Sequence, residues 1–520
     1  MSTAPNTKRE VIDMPDSELP EGWCKTSLEA VTKLESGSGF PEKYQGKTDL
    51  SYPFFKVGNL GEVQSGQPLR SSAHTIDDRL AKILHAKIIP PDAVVFAKIG
   101  MAIRLNRRRL TGVPCCIDNN MMAAIPTTAI LPRFLLRFLE TVPFMELTTA
   151  TTVPSLRKSE LEQVSVLLPP LEEQIRIVAK VEELLTAATE SRRRLYRVST
   201  LLKRFRQAAL EAACSGRLTE DWREQHLGVE SASTLAEKIH QSHTAGGFGH
   251  GGQAAVPTED VHTLAAEDLP ESWTIEELKF LCKPGRPITY GILKPGPNLL
   301  SGVFYVRVAD FPNDRLTLSG IRRTSEQIAH SYRRSSLQVG DLLLSIRGTV
   351  GRVCKVPLEL EGANITQDTA RISVHSEVSA DYVKTYLRCP STQKRLESAM
   401  KGVAVRGVNI GDVRVLQIAL PPRAEQEEIV RRVAALVNLA DCIEQRVTAA
   451  MVRADKLTQS ILAKAFRGEL VPTEAELARQ EGREYEPASV LLERIREQRL
   501  KHDAHHTKPN RKARKASASI

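Results

Sequence analysis

The chain contains eight cysteines but no Cys-x-x-Cys pair, and no histidine stands at a spacing that completes a zinc site around them. Neither a zinc finger nor a disulfide framework is expected. Cys24, Cys115, Cys116, Cys214, Cys282, Cys354, Cys389 and Cys442 read as reduced, mostly buried thiols. No run of about 18 apolar residues occurs, and the polar, charged N-terminus lacks the apolar core of a signal peptide. These absences predict a soluble, cytoplasmic protein with no membrane partner. A G-x-x-x-x-G-K-S/T phosphate loop is also missing, since residues 348–355 only superficially resemble one. Residues 246–252 are glycine-rich but lie between polar runs with no preceding strand, so they read as a linker. The nearby His240, His243, His250 and His262 read as solvated side chains, not metal ligands.

What is present supports several domains. An apolar content of 41% in 520 residues is enough for real cores, with room for roughly two to four domains. The formal charge of +10 favours an anionic partner such as nucleic acid. Lys501, Lys508, Arg511, Lys512, Arg514 and Lys515 stand against Asp503 alone in the last twenty residues. That tail is expected to be disordered and to add salt-sensitive phosphate affinity.

The chain also repeats itself. Leu19-Pro20-Glu21-Gly22-Trp23 returns as Leu269-Pro270-Glu271-Ser272-Trp273, and Pro169-Pro170-Leu171-Glu172-Glu173-Gln174 as Pro421-Pro422-Arg423-Ala424-Glu425-Gln426. A long helical stretch follows each double proline and ends at Ser215-Gly216-Arg217-Leu218 or Arg467-Gly468-Glu469-Leu470. The period is too long for a solenoid and implies two tandem copies of one module. Short apolar runs split by glycine, at 93–99 and 341–346, read as strands, with matching helices at 130–140 and 378–388. An α+β class follows. The loops of the two copies differ, as two readers of different targets would require, although drift after duplication would leave the same trace.

In the helical stretches, apolar residues recur at intervals of three and four. Leu185, Leu195, Val198, Leu202 and Phe205 mark one seam, and Leu436, Ile443, Val447, Leu457 and Ile461 the other. At 1.5 Å per residue each helix would span roughly 60 Å. Two such seams predict an antiparallel coiled coil holding two globular domains apart in a pseudo-twofold repeat, with pairing into a homodimer as the alternative. The expected order is a tail (1–18), a first domain (19–170), a first helix (171–216), and a helical segment with the linker (217–268). A second domain (269–422), a second helix (423–468), a C-terminal helical segment (469–500) and the basic tail (501–520) complete it.

These motifs, in this order and duplicated, resemble the specificity subunit of type I restriction-modification systems. Residues 205–219, 465–472 and 486–495 are similar to the family as well, so the resemblance runs from about residue 19 to 500. It implies a double-stranded-DNA-binding chain in which each target-recognition domain reads one half of an asymmetric bipartite site. The helices would set the spacer. Two adenine methyltransferase subunits and motor-nuclease subunits would be partners, and S-adenosylmethionine, ATP and Mg would be bound by those partners and not by this chain. A non-catalytic role agrees with the lack of an Asn/Asp-Pro-Pro-Tyr/Phe motif, because 168–171 and 420–423 lack its polar and aromatic members. The alternatives are a stand-alone two-headed DNA-binding regulator and a coiled-coil scaffold.

Base readout calls for Arg or Lys on guanine and Asn or Gln on adenine. The candidates are Lys43, Lys98, Arg104 and Asn120 in the first domain, and Arg286, Tyr290, Arg347, Arg352 and Gln367 in the second. Setting Gly100 against Gly348 pairs Arg104 with Arg352, and Asn120 is expected to match Gln367. The Arg107-Arg108-Arg109 run reads as phosphate positioning or plain surface. Each candidate is also explicable as a solvated charge or a turn-capping amide.

Overall fold

Val94–Ala97 and Leu342–Ser345 are buried at every position. Alternation would leave one strand face to water, whereas a continuous apolar run needs cover on both. The computed structural model, which describes residues 14–63, 66–148, 153–245, 268–401 and 406–506, shows that cover. Val94 and Phe96 face a core with Met122, Phe134 and Leu135, and Val95 and Ala97 face another with Phe55, Leu60 and Ile117. In the second copy Leu342 and Leu344 pack with Ile372 and Tyr382, and Leu343 packs with Val306 and Phe311.

The two modules share one topology. An antiparallel four-stranded sheet runs Thr32–Ser36, Met121–Pro126, Val94–Ala97, Arg108–Leu110 in the first, and Thr289–Tyr290, Thr369–Ile372, Leu342–Ser345, Val353–Lys355 in the second. Each adds a three-stranded sheet around a mixed central strand, Tyr52–Phe55 or Val303–Val306. A two-stranded ribbon closes each module, pairing Cys24–Ser27 with Ser165–Leu168 and Thr274–Glu277 with Gln417–Leu420. The helices Pro132–Thr141 and Ala380–Leu387 pack on the sheets through Phe134, Leu135, Phe138 and Tyr382, Val383, Leu387. The class is α+β, built twice.

Contacts divide the chain into two units, residues 1–194 with 450–520, and residues 195–449. Both long helices, Leu171–Cys214 and Arg423–Ala465, cross that division. The first unit's core draws Ile461, Phe466, Leu491 and Ile495 onto the first module, with the Phe466 ring 5.1 Å from that of Phe134. The second unit's core draws Ala213, Leu235, Ile239 and Ile429 onto the second module. The segment after each helix therefore belongs to the core of the other helix's module. His240 and His243 are not simply solvated: they meet the Glu276 carboxylate at 3.1 Å and the Phe280 carbonyl at 3.0 Å. Most of the expected N-terminal tail, the glycine-rich linker with His250 and His262, and the chain beyond 506 lie outside the described residues. The last helix, Ala488–His506, runs past the boundary expected at 500.

The repeated motifs are the clasps of this arrangement. Trp23 Nε1 donates to Glu173 at 2.8 Å, and Trp273 Nε1 to Glu425 at 2.9 Å. Gln174 accepts from the Leu131 amide and donates to the Ala129 and Pro169 carbonyls, tying helix start to sheet. Gln426 repeats this with the Ser379 amide and the Pro421 carbonyl. Gly216 and Gly468 end the helices in the left-handed region, at φ +78° and +75°. A Cβ on either would fall 2.5 Å from Pro270 or Pro20 respectively, so the Leu-Pro-x-x-Trp proline seats on that glycine.

Within each unit the helix pair is antiparallel. Arg192 reaches Asp455 at 3.3 Å in the first, and Arg206 reaches Asp441 at 2.6 Å and Glu444 at 2.7 Å in the second. Burial follows a seven-residue step: Val181 and Ala188, Leu202 and Ala209, then Val433, Ala440, Val447 and Ile461 are buried. Leu185, Leu195, Val198, Leu436 and Ile443 are half-buried. Phe205 and Leu457, expected in the seam, are 39% and 53% exposed. A two-helix pair covers only the innermost line of an apolar stripe, and these two residues sit at its rim. Leu202→Ala is therefore expected to cost about 2–3 kcal/mol, and Leu457→Ala under about 1 kcal/mol, by chemical denaturation. Equal losses would contradict this seam.

Six of the eight cysteines are buried, Cys24 is half-buried and Cys442 exposed, all as free thiols. Burial pushes Cys116, Cys282 and Cys354 up to about 12, which keeps them unreactive.

Candidate nucleic-acid interface

The strand pairs fix which residues of the two modules are equivalent. Ala97 opposes Met121 as Ser345 opposes Thr369. Ile99 bridges Ser155 as Arg347 bridges Gly407. Asn120 is thus the counterpart of Asp368, and Gln367 is the counterpart of Asn119. The expected Asn120–Gln367 equivalence is one residue out of register.

The arginines shift too. Phe96 pairs with Arg108 and Leu344 with Val353, so Arg107, not Arg104, matches Arg352. The first module carries a longer turn there, including the 3-10 segment Met101–Leu105 on which Arg104 is exposed. Two of the three consecutive arginines are not surface at all. Arg108 is buried with its guanidinium 3.7 Å over the Phe144 ring, and Arg109 donates to the Val63 carbonyl at 2.8 and 3.0 Å. Their places on the strand Arg108–Leu110 explain this: a charge run reads as phosphate positioning or surface, but the strand turns those side chains inward.

Arg286 is likewise structural. It donates to Asp341 at 2.9 Å, the Ser336 carbonyl at 3.0 Å and Ser373 Oγ at 3.0 Å, and Asp341 is buried. Arg352 reaches the Val308 carbonyl at 3.3 Å. The Asn120 backbone N–H donates to Asp118 Oδ1 at 2.9 Å, so the Asp118 carboxylate caps that turn. Lys98 is half-buried, and burial pulls its ammonium below the usual range against the attraction of Asp118. Lys43 is exposed, 4.9 Å over the Tyr44 ring, and Tyr290 is 45% exposed at the sheet margin.

Two of the candidates are brought together. Arg347 NH1 donates to Gln367 Oε1 at 3.3 Å, and both line an open cleft of about 380 Å³ with Asp368, Lys401, Gly407, Val408 and Asn409. Lys401, Asp368 and Asn409 had no motif to mark them; the cleft forms where distant turns meet at the end of the buried strand. Arg347, Gln367, Lys401 and Asn409 offer donors there beside the Asp368 carboxylate, which suits a polar ligand. Among the described residues, no group of three or more His, Cys, Asp or Glu side chains is placed to hold a metal ion.

Residues 20–196 match the family model described as type I restriction modification DNA specificity domain. The chain is 34% identical over 324 residues to the type I restriction enzyme EcoBI specificity subunit of Escherichia coli, covering 62% of this chain and 62% of that relative. It is 26% identical over 479 residues to the EcoKI specificity subunit of E. coli strain K12, covering 88% of this chain and 91% of that relative. The chain is thus similar to specificity subunits of type I restriction-modification systems, and it spans 62% of the length of the EcoBI relative. Two solved structures share the fold. The HsdS subunit from Thermoanaerobacter tengcongensis matches 87% of this chain and 98% of its own, with a TM-score of 0.51 at 21% identity. A chain from a structure on assembly of the type I R-M system matches with a TM-score of 0.58 at 20% identity, over 87% of this chain and 99% of that one. No described helix is long and apolar enough to cross a membrane.

Proposed function

We propose that this chain is the DNA-binding specificity subunit of a type I restriction-modification complex. Each module reads one half of a bipartite, asymmetric site in double-stranded DNA. Adenine methylation or restriction is then carried out by two methyltransferase subunits and by motor-nuclease subunits, which hold S-adenosylmethionine, ATP and Mg. The chain itself is non-catalytic and contributes recognition. The observation that carries this reading is one scaffold built twice with different chemistry at equivalent surface positions, such as Ile99 and Arg347. A shared scaffold gives both halves the same docking geometry, and the differing side chains make the two halves differ in sequence.

The test is exchange of residues 19–170 for the corresponding module of another specificity subunit, within the complete complex. Only one half of the methylated motif is expected to change. A change in both halves, or in neither, would contradict the assignment of one module to one half-site.

A further inference from the structure

At one equivalent position the modules present opposite chemistry. Residue 99 in the first module is a half-buried isoleucine, whereas its counterpart in the second, Arg347, is exposed. The backbone leading into Arg347 is held in place. Its strand, Leu342–Ser345, is buried throughout, Ile346 is 3% exposed, and the Val408 amide donates to the Ile346 carbonyl at 2.8 Å. The guanidinium therefore projects from a rigid base.

Its polar surroundings leave it available. Arg286, Arg307 and Arg388 are held by Asp341, Asp310 and Asp314. Among the described residues Arg347 has no ion pair; its guanidinium donates to the neutral Gln367 amide oxygen at 3.3 Å. An amide orients the guanidinium without neutralising it, and one N–H of five is used. The remaining edge is free to make the paired donation that guanine O6 and N7 accept in the major groove.

We propose that Arg347, buttressed by Gln367, is a specificity-determining residue that reads a guanine in the half-site of the second module, at a place where Ile99 gives the first module no donor. This rests on the reading of the modules as DNA readers. A phosphate contact is the competing role for an exposed arginine, and it predicts a different result, because phosphate contacts carry no sequence information.

The experiment uses the full-length chain with its methyltransferase partner in the host, and single-molecule methylome sequencing of wild type, Arg347→Ala, Arg347→Lys and Gln367→Ala. Arg347→Ala is expected to reduce guanine preference at one position of one half-site by roughly 5- to 150-fold, the range for loss of a bidentate pair. The other half-site stays as it was. Arg347→Lys relaxes the same position, because an ammonium cannot make the paired contact, and Gln367→Ala weakens it partially. Uniformly reduced methylation with an unchanged motif in Arg347→Ala, or no change at all, overturns the proposal. So does a shift confined to another position in Gln367→Ala. If wild type yields no bipartite motif that depends on this chain, the DNA-reading assignment itself fails, which separates the two failures.

Discussion

Glu425→Ala is expected to destabilise the protein by about 3 kcal/mol, the lower end of the range for removing one partner of a buried ionic pair. The Glu425 carboxylate is fully buried and accepts from Trp273 Nε1 at 2.9 Å, Thr219 Oγ1 at 2.6 Å and Arg223 NH1 at 2.5 Å. Alanine leaves all three donors without their acceptor, and only the partly exposed Arg223 can turn to water. Chemical denaturation monitored on the second unit reads the loss. A cost under about 1 kcal/mol would mean that the clasp contributes little to holding helix start to module.

Glu173 occupies the matching place with different partners, and the contrast sharpens the test. It accepts from Trp23 and from the Glu474 amide, and burial raises its carboxyl above the ordinary range. A raised folded value means that stability linked to Glu173 is fully present below the unfolded value and is lost as pH rises through the folded one. Glu173→Gln removes the buried charge near pH 7 but sets its NH2 against one of the two N–H donors, so it is expected to be only mildly destabilising there. Glu425→Gln is expected to be destabilising there. Both variants falling equally would remove the distinction drawn between the two clasps.

Arg108→Ala is expected to cost about 3 kcal/mol, because it deletes a buried side chain and orphans its partners. The guanidinium lies 3.7 Å over Phe144 and donates to the Val142 carbonyl at 3.1 Å. Arg107→Ala, one residue away and exposed, is expected to change stability by less than about 0.5 kcal/mol. Thermal and chemical denaturation of both variants compare them directly. If Arg107→Ala proved the costlier, the register of the Arg108–Leu110 strand would be wrong.

The repeat, the α+β class and the long helices were legible because they rest on local patterns: duplicated motifs, apolar runs bounded by glycine, and three-four spacing. The register was not. From Ala97 to Arg108 there are eleven steps, but from Ser345 to Val353 only eight, so counting onward from Gly100 and Gly348 mismatched Arg104 with Arg352. Arg286 reads as a base-contact candidate, and Arg108 and Arg109 as phosphate positioning or surface, because burial of a cation depends on partners from other strands, which composition does not reveal. The Glu and Gln of the double-proline motif were used as markers of the repeat, yet their acceptor and donor roles emerge only where Trp23 and Trp273 meet them. Leu457 and Phe205 satisfy the spacing of a seam, but spacing does not tell its covered line from its rim.

Single-molecule methylome sequencing of the host with and without the gene tests the central claim most directly. The account predicts that deletion removes one asymmetric, bipartite adenine-methylation motif and leaves every other methylated motif in place. A methylome unchanged by the deletion would contradict it.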